Sequence, residues 1–198
     1  MKSAADLSVR ERDALAVQTC SVAVRACRRC PSMPPERLRV PGVGSPGATL
    51  FFLAEAPGRL GAGRTGIPFR GDRSGELFWG LIAEFGLHDH FVTNAVKCNP
   101  LDPRGRNRTP TGSERAQCRA HWQAEVAAVR PRWLVPLGGS ACREVTGQAL
   151  RACVNRRVET THGPAWALYH PAYVARHSYP LPQYRADWRA LLAAAGLG

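Results

Sequence analysis

The stretch that decides the fold is residues 48–56, "ATLFFLAEA", which the glycine-rich loop "PGRLGAGRTG" of residues 57–66 follows at once. An apolar run of this length without helical periodicity predicts a strand that is buried on both faces of a sheet. The glycines after it allow the backbone to come close to a ligand. Because ligands of open parallel sheets bind beyond the carboxyl ends of the strands, this loop is the first candidate for a functional site.

Strands and helices alternate on both sides of this stretch. Besides the strand at 48–56, we predict strands at 90–98, 132–138 and 165–174, and helices at 6–27, 74–86, 113–130, 139–147 and 182–196. Ser74 and Ser113 are the predicted N-caps of two of these helices, and the last strand is predicted to end at His170. The alternation predicts an α/β fold, a single-domain three-layer sandwich whose central, mainly parallel, four-stranded sheet has helices on both faces.

Four loops are expected to meet at the carboxyl edge of this sheet. They carry "EAPG", "TN", "GGS" and "HP", and they follow Ala54, Val92, Leu137 and Tyr169. The length predicts one domain over residues 1–198, in which 1–47 form an N-terminal helix with a CxxC segment and 48–198 form the α/β core.

The charge of the chain favours a polyanionic partner. Lys and Arg number 27 against 15 Asp and Glu, a net charge of +12, and nearly all of the excess is arginine. Arginine binds phosphate through paired hydrogen bonds, which favours a nucleic acid; a GC-rich genome would enrich arginine equally well. The chain is 44% hydrophobic, and no apolar run is long enough for a membrane span or a signal core. We therefore expect a cytoplasmic monomer without a membrane partner.

Two of the seven cysteines, Cys27 and Cys30, form a CxxC pair. Because disulfides are rare inside cells, metal ligands or buried thiols are the favoured roles for the cysteines. The pair by itself is compatible with a redox couple, half of a metal site, or two ordinary thiols.

Several motifs together resemble one known family, the iron–sulfur uracil-DNA glycosylases. The glycine-rich loop lacks the common phosphate motifs GxGxxG and GxxxxGK[ST]. In family order between residues 27 and 176 stand "EAPG" (55–58), "PF" (68–69), "TNAVKC" (93–98), "NRTPT" (107–111) and "HPAY" (170–173). Most of these resemble family four, whereas "GAGRTGIPFRGDRSG" (61–75) resembles family five. Gly61 and Ala62 stand near the place of an acidic pair that is usual in family four, and Ala172 replaces its usual serine.

The resemblance implies a DNA glycosylase of base excision repair. Such an enzyme hydrolyses the N-glycosidic bond of uracil in DNA and leaves an abasic site. Other deaminated bases, such as hypoxanthine, are further candidate substrates, because the loop features that this chain shares with family five go with activity on them. The implied partner is DNA that contains such a base.

The resemblance also implies a [4Fe–4S] cluster that four cysteines hold. Thiolates are the ligands that such clusters require. Its four ligands would be Cys27, Cys30, Cys98 and Cys118. Zinc on the same thiols is the alternative. The remaining cysteines are expected to be buried thiols without a metal: Cys20, Cys142 and Cys153.

The base pocket follows from the same resemblance, since a glycosylase must flip its base out of the duplex. Phe69 would stack on uracil, Asn94 would pair with its O4 and N3, and His170 would donate to O2 as negative charge develops. The pocket wall would be the main chain of Ala56, Pro57 and Gly58. A structural turn residue is the alternative role for Asn94, and a core histidine is the alternative for His170.

Two carboxylates are candidates to position or activate the attacking water. Glu55 matches the position of family four and is favoured, and Asp72 matches the acidic residue of family five. The alternative for Asp72 is a structural ion pair with Arg64 or Arg73.

DNA contacts are expected from two loops. The loop after His170 would enter the minor groove, with Arg176 or His177 as the wedge and Tyr173 packed beneath it. The loop before residue 111 would contact backbone phosphates through Arg104, Arg106 and Arg108.

One further function stays open: a lesion-recognition protein that binds or crosslinks uracil DNA without turnover. The family has a crosslinking branch that uses a histidine in an inserted basic loop. Here the arginine-rich segment at 151–163 contains only His162. A zinc-bearing transcriptional regulator is not supported, because neither helix-turn-helix nor finger spacing occurs.

Overall fold

The computed structural model describes residues 8–34 and 36–198. Its helices are α1 (Val9–Arg25), α2 (Ala62–Thr65), α3 (Arg73–Glu84), α4 (Gly112–Val129), α5 (Gly139–Thr146), α6 (Leu150–Cys153), α7 (Pro171–Ala175) and α8 (Leu181–Ala195). Its strands are β1 (Val43–Gly44), β2 (Leu50–Ala54), β3 (His90–Asn94), β4 (Trp133–Pro136), β5 (Arg157–Thr160) and β6 (Gly163–Trp166).

One mostly parallel sheet organises the fold, in the order β1-β3-β2-β4-β6-β5. The four central strands run parallel and are the predicted ones, so the α/β class is confirmed. The described sheet has six strands rather than four, because β1 and β5 pair antiparallel at its two edges. Both were missed since β1 is two residues long and β5 reads "RVET", a short polar stretch that resembles a loop.

Helices cover both faces of the sheet, as predicted, and β2 shows why. Phe52 stacks on Trp188 of α8 with ring centroids 5.4 Å apart, and Phe51 on the opposite face stacks on Phe91 at 5.2 Å. Alternate residues of β2 therefore belong to two separate cores, one beneath α3 and α8 and the other beneath α4. All five residues of β2 are buried, which explains the apolar run in the sequence.

The predicted N-caps of two helices were each wrong by two residues. Asp72, not Ser74, caps α3: its Oδ1 accepts a hydrogen bond from the Gly75 N–H at 2.9 Å, and the Ser74 hydroxyl donates to it. Thr111, not Ser113, caps α4 in a capping box with Glu114. Each stretch offered two good capping residues, and the path of the preceding loop selected the earlier one.

The last predicted strand, 165–174, is divided in the structure. β6 ends at Trp166, a single parallel bridge joins Leu168 to Leu137, and His170 caps α7. Pro171 occupies the first position of that helix, where its missing N–H is not needed. The helix predicted at 6–27 begins at Val9 after the cap Ser8; residues 6 and 7 lie outside the described chain.

The N-terminal segment is attached to the core through buried polar contacts. The Val40 N–H donates to the Lys97 carbonyl at 2.8 Å, and the Gly42 N–H donates to Glu125 Oε1 at 2.9 Å. Glu125 Oε2 forms a fully buried ion pair with Lys97 Nζ at 2.5 Å. This network holds the segment that carries Cys27 and Cys30 against the loop that carries Cys98. No helix of the described chain is long and apolar enough to cross a membrane.

Candidate active site

A cavity of about 420 Å³ opens at the carboxyl edge of the sheet, where parallel α/β folds bind their ligands. Its lining includes all of the predicted catalytic and base-binding residues: Glu55, Ala56, Pro57, Gly58, Phe69, Asp72, Asn94 and His170. Of the predicted DNA-contacting residues, it includes Arg108, Tyr173 and Arg176. Arg104, Arg106 and His177 are not part of the lining.

Asn94 is the polar group at the base of this cavity. It is the last residue of β3, pairs in register with Ala54 of β2, and is only 3% exposed. Within the described part of the chain its side-chain amide makes no hydrogen bond to protein. Its amide atoms are not among the buried polar atoms that lack a partner, so they face the open cavity. Such a group in a cavity wall is suited to a ligand that supplies one donor and one acceptor.

Phe69 is held in a strained conformation beside the cavity. Its φ of 53° is rare for a bulky residue, and such strain is typical of functional sites. Its ring stacks on Phe78 at 4.4 Å and approaches His170 at 5.5 Å. A Cβ on Gly75 would lie 2.0 Å from the Phe69 carbonyl oxygen, so only glycine lets α3 begin this close. The helix start therefore fixes the aromatic wall.

His170 presents a neutral ring with a defined tautomer. Its Nδ1 accepts a hydrogen bond from the Ala172 N–H at 3.1 Å, so the ring proton is on Nε2. Burial lowers the pKa of His170 to about 4; Arg176 adds to this effect and Asp72 opposes it. At neutral pH the ring is therefore uncharged, and its Nε2–H is a hydrogen-bond donor in the cavity wall.

The two candidate carboxylates are held very differently. Asp72 Oδ1 is fixed by its two capping hydrogen bonds, whereas Oδ2 lies over Gly61, where a Cβ would be 2.2 Å away. Glu55 is partly buried in the wall and makes no side-chain hydrogen bond within the described residues. Neither Arg64 nor Arg73 forms the alternative ion pair with Asp72 among the salt bridges of residues 8–34 and 36–198. Asp72 thus combines a capping role with one free oxygen.

Sequence reasoning missed a pair of asparagines in the cavity wall. Asn99 Nδ2 donates to the Pro57 carbonyl at 2.6 Å and to Asn107 Oδ1 at 3.0 Å. Asn107 Oδ1 also accepts from the Arg59 N–H at 2.9 Å. The pair ties the "EAPG" loop to the "NRTPT" loop. Asn107 stands in a quoted motif, and that was the one signal available.

A small hairpin over residues 101–107 stands beside the cavity. Asp102 Oδ1 accepts from the backbone N–H groups of Arg104 and Arg106, and its Oδ2 binds the Arg106 side chain at 2.8 Å. These hydrogen bonds lower the pKa of Asp102. Arg106 is nevertheless 65% exposed, and Arg104 is exposed without a side-chain partner in the described residues.

Arg108 has a different role in the structure from its two neighbours. Its guanidinium forms a two-pronged ion pair with Glu114, with distances of 2.6 and 2.8 Å. The Arg108 hydrogen bond lowers the pKa of Glu114 to about 2. Ser32 of the N-terminal segment donates to the same carboxylate. Arg108 therefore joins the cavity rim to α4 and to the CxxC segment.

The four predicted metal ligands come together in a second, smaller pocket, lined by Cys27, Cys30, Cys98 and Cys118. They arrive from the end of α1, the loop after β3, and α4, so three separate segments meet there. Burial raises the pKa of the Cys98 thiol to about 11 and that of Cys118 to about 12, although the Lys97 N–H donates to Cys118 Sγ.

In the described chain, no three side chains of His, Cys, Asp or Glu are arranged to hold a single metal ion. Arg28, Arg29 and Arg39 border the pocket and supply positive charge around it. As predicted, Cys142 and Cys153 are buried elsewhere; Cys20 on α1 is only half-buried.

Comparison with known proteins agrees with the geometry. The family model described as "Uracil DNA glycosylase superfamily" matches residues 41–192, which include every residue of the cavity lining. The chain belongs to the uracil DNA glycosylase superfamily. The match begins after Cys27 and Cys30, so the CxxC pair lies outside the matched residues.

Relatives of two types within the superfamily confirm the mixed resemblance. The Type-4 uracil-DNA glycosylase of Archaeoglobus fulgidus is 31% identical over 180 residues, which cover 85% of this chain and 87% of that protein. The Type-4 enzyme of Thermotoga maritima is 29% identical over 174 residues, covering 81% and 84%. The Type-5 uracil-DNA glycosylase of Pyrobaculum aerophilum is 31% identical over 152 residues, covering 67% and 65%.

Proposed function

We propose that this member of the superfamily is a uracil-DNA glycosylase, which hydrolyses the N-glycosidic bond of uracil in DNA and leaves an abasic site for base excision repair. The observation that carries the proposal is the amide of Asn94 at the base of the cavity, which faces the cavity and makes no hydrogen bond to the described residues. The relatives of this chain are named uracil-DNA glycosylases of types 4 and 5. Because the proposed substrate is DNA, we infer that the enzyme acts in the cytoplasm of a bacterial or archaeal cell.

The cavity suits a flipped pyrimidine. Its volume of about 420 Å³ lies in the usual range for small-molecule sites, and its opening leads outward from the sheet edge. The Asn94 amide offers an N–H donor to uracil O4 and a carbonyl acceptor to N3–H. Cytosine presents the opposite pattern at both positions, so it would pair with Asn94 only after the amide turns over. Phe69 supplies apolar surface along the ring.

His170 acts on the leaving group. As the bond to the sugar breaks, negative charge develops on uracil and is shared with O2. The Nε2–H of a neutral imidazole donates to that oxygen and stabilises the departing anion electrostatically. Its lowered pKa keeps the ring neutral at neutral pH, so Nδ1 still accepts from the Ala172 N–H while Nε2–H donates to uracil.

A carboxylate supports the sugar side, where positive charge develops and water attacks. Asp72 is better oriented than Glu55, because one of its oxygens is fixed by α3 and the other faces Gly58 and Gly61. Gly61 stands near the place of the acidic pair that is usual in family four. We infer that Asp72, which starts α3, supplies the carboxylate there, and that Glu55 contributes charge from the opposite wall.

The cysteine pocket fits a [4Fe–4S] cluster held by Cys27, Cys30, Cys98 and Cys118. Bound there, the cluster would supply a structural cross-link between three chain segments. The donor set consists of thiols alone, and a cluster takes each thiolate on a different iron atom. Zinc on the same four thiols is the alternative, because thiolates are also zinc ligands. Metal analysis of the purified protein distinguishes the two.

DNA phosphates would be bound by the exposed arginines of the hairpin over residues 101–107. Asp102 holds the hairpin in place, so Arg104 and Arg106 are presented without loop ordering. Arg176 adds a third cation at the cavity rim. The crosslinking alternative is not favoured by any contact, because His162 packs against Trp122 and is not part of the cavity lining.

The test is excision of a single uracil from single- and double-stranded oligonucleotides under multiple turnover, with alkali to reveal abasic sites. Parallel substrates carry hypoxanthine or xanthine. The variants are Asp72→Asn, Glu55→Gln and His170→Asn, with Glu159→Gln on exposed β5 as the matched control. We expect turnover by the wild type and the control, and loss with His170→Asn and at least one carboxylate variant. No excision of any base by wild type with its cluster would refute the proposal and favour binding without turnover.

A further inference from the structure

Tyr173 has no role in the base pocket, yet its ring stands at the cavity rim. Eight large hydrophobic side chains are exposed in the described chain, and Tyr173, at 40% exposed, is the one among them that lines the cavity. We had expected it to pack beneath a wedge residue. A ring with that structural role would be buried, as Tyr184 is.

The ring is held in place from below by other tyrosines. Tyr173 stacks on Tyr169 with centroids 5.5 Å apart and planes inclined by 26°. Tyr169 in turn packs on Tyr179 at 4.5 Å, and its carbonyl accepts a hydrogen bond from the Tyr184 hydroxyl at 2.8 Å. The exposed ring of Tyr173 is therefore the last ring of a fixed stack. Because the side chain is already held in place, it loses little rotamer entropy when a ligand binds.

The loop beyond the ring is fixed as well. The Ser178 N–H donates to the Tyr173 carbonyl at 3.0 Å, and the His177 N–H donates to the Val174 carbonyl at 2.8 Å. His177 has a φ of 58°, which turns the chain sharply after α7. Arg176 stands one helical turn from Tyr173 and shares the cavity rim with it. An exposed aromatic face beside a cation is the arrangement that binds single-stranded nucleic acid.

We propose that Tyr173 is the stacking surface for a DNA base that neighbours the flipped uracil. The inference rests on the proposed function and deepens it, because it says how the strand next to the target is held. A base has an aromatic face whatever its identity, so the contact adds affinity without sequence preference. A neighbouring base is free to stack on Tyr173 only after it leaves its own stack, so single-stranded uracil DNA gains more from the contact than duplex.

The first experiment separates stacking from packing by steady-state kinetics on single-stranded uracil DNA. Tyr173→Phe keeps the aromatic face, whereas Tyr173→Leu keeps apolar bulk without it; Leu15→Ala, on exposed α1, is the control. We expect Tyr173→Leu to raise KM about ten-fold with kcat changed less than three-fold, from the usual strength of base–aromatic stacking. Tyr173→Phe and the control should match the wild type. Circular dichroism and thermal melting confirm that each variant folds.

The second experiment observes the stacked base directly. Oligonucleotides carry a 2′-fluoro-deoxyuridine, which resists cleavage, next to 2-aminopurine on its 5′ or its 3′ side. We expect quenching of 2-aminopurine on one of the two sides with wild type and Tyr173→Phe, and none with Tyr173→Leu.

The outcomes distinguish the two levels of the proposal. Absence of uracil release by the wild type would refute the glycosylase function itself. Normal release together with an unchanged KM and fluorescence in Tyr173→Leu would overturn the stacking inference alone. A Phe variant that behaves like the Leu variant would also overturn it, since the hydroxyl group would then be what matters.

Discussion

The cavity and the cysteine pocket are built on different principles. In the cavity, backbone groups orient the reactive side chains: the Gly75 N–H fixes Asp72, and the Ala172 N–H fixes His170. In the cysteine pocket, thiols from three chain segments line one small space, and burial raises the pKa of Cys98 and Cys118. Hydrogen bonds within the protein thus order the cavity, whereas the cysteine pocket brings sulfur ligands together. The predictions below test this separation.

The largest effect is expected from Asp72→Asn. Asparagine is an equally good N-cap, so α3 and the melting temperature should be unchanged. The amide carries no charge to support the sugar or the water, so kcat should fall by about 10²–10⁴. Single-turnover rates measure this fall. Glu55→Gln is the paired variant, and a larger loss there than at Asp72 would reverse our assignment of the two carboxylates.

His170→Asn should lower kcat by about 10²–10³, because it keeps a side chain able to cap α7 and removes the Nε2–H donor. The pH dependence is a second measurement. Since the pKa of His170 is about 4 in the folded protein, its protonation should not reduce kcat/KM between pH 7 and 5. A His170-dependent fall near pH 6.5 would show that the ring is solvated and that our assignment of its charge is wrong.

The same histidine affects stability, with a definite sign. The folded pKa lies below the ordinary value of about 6.5, so the unfolded chain takes up the proton first. The free energy of unfolding should therefore decrease as pH falls from about 6.5 toward 4. Denaturant titrations of His170→Asn should show a flatter dependence across this window. Equal slopes in the two proteins would contradict the assignment.

Cys118→Ser should act on stability rather than on chemistry. Loss of a ligand of the proposed cluster would remove the cross-link to the N-terminal segment, and cross-links of this kind stabilise by about 2–4 kcal/mol if they resemble disulfides. We expect less bound iron and a lower melting temperature, with kcat reduced only a few-fold in the folded fraction. Cys20→Ser, outside the pocket, is the control. A fall in kcat as large as that of Asp72→Asn would show that the two regions are not separate.

The smallest effect is expected from the hairpin arginines. Replacing both Arg104 and Arg106 with Gln should lower the slope of log affinity against log salt by about 1.4 on single-stranded DNA, since each phosphate contact contributes about 0.7. Arg108→Gln should instead lower the melting temperature, because Arg108 pairs with buried Glu114. Fluorescence anisotropy over a range of salt measures the slopes. An unchanged slope in the double variant would place the phosphate contacts elsewhere.

Particular residues show how far sequence reasoning reached. Strands β2, β3 and β4 were visible because each is a short apolar run followed by a glycine-rich or polar loop, whereas β6 reads "GPAW" and shares only residues 165 and 166 with the predicted strand. The cap of α3 was misplaced by two residues, because Asp72 and Ser74 are both good capping residues and only the path of the loop chooses between them. Asn99 was missed since nothing local distinguishes it; its partners, Pro57 and Asn107, are 42 and 8 residues away.

The sequence by itself determined the α/β class, the family and the candidate catalytic and base-binding residues at the cavity, because these depend on local apolar patterning and on motifs. Tertiary structure alone decided the charge of His170, the free oxygen of Asp72, the structural role of Arg108 and the exposure of Tyr173. Each of these is set by burial and by partners from other segments of the chain. Spacing along the sequence carries no information about burial or about partners from other segments, because both arise only when the chain folds.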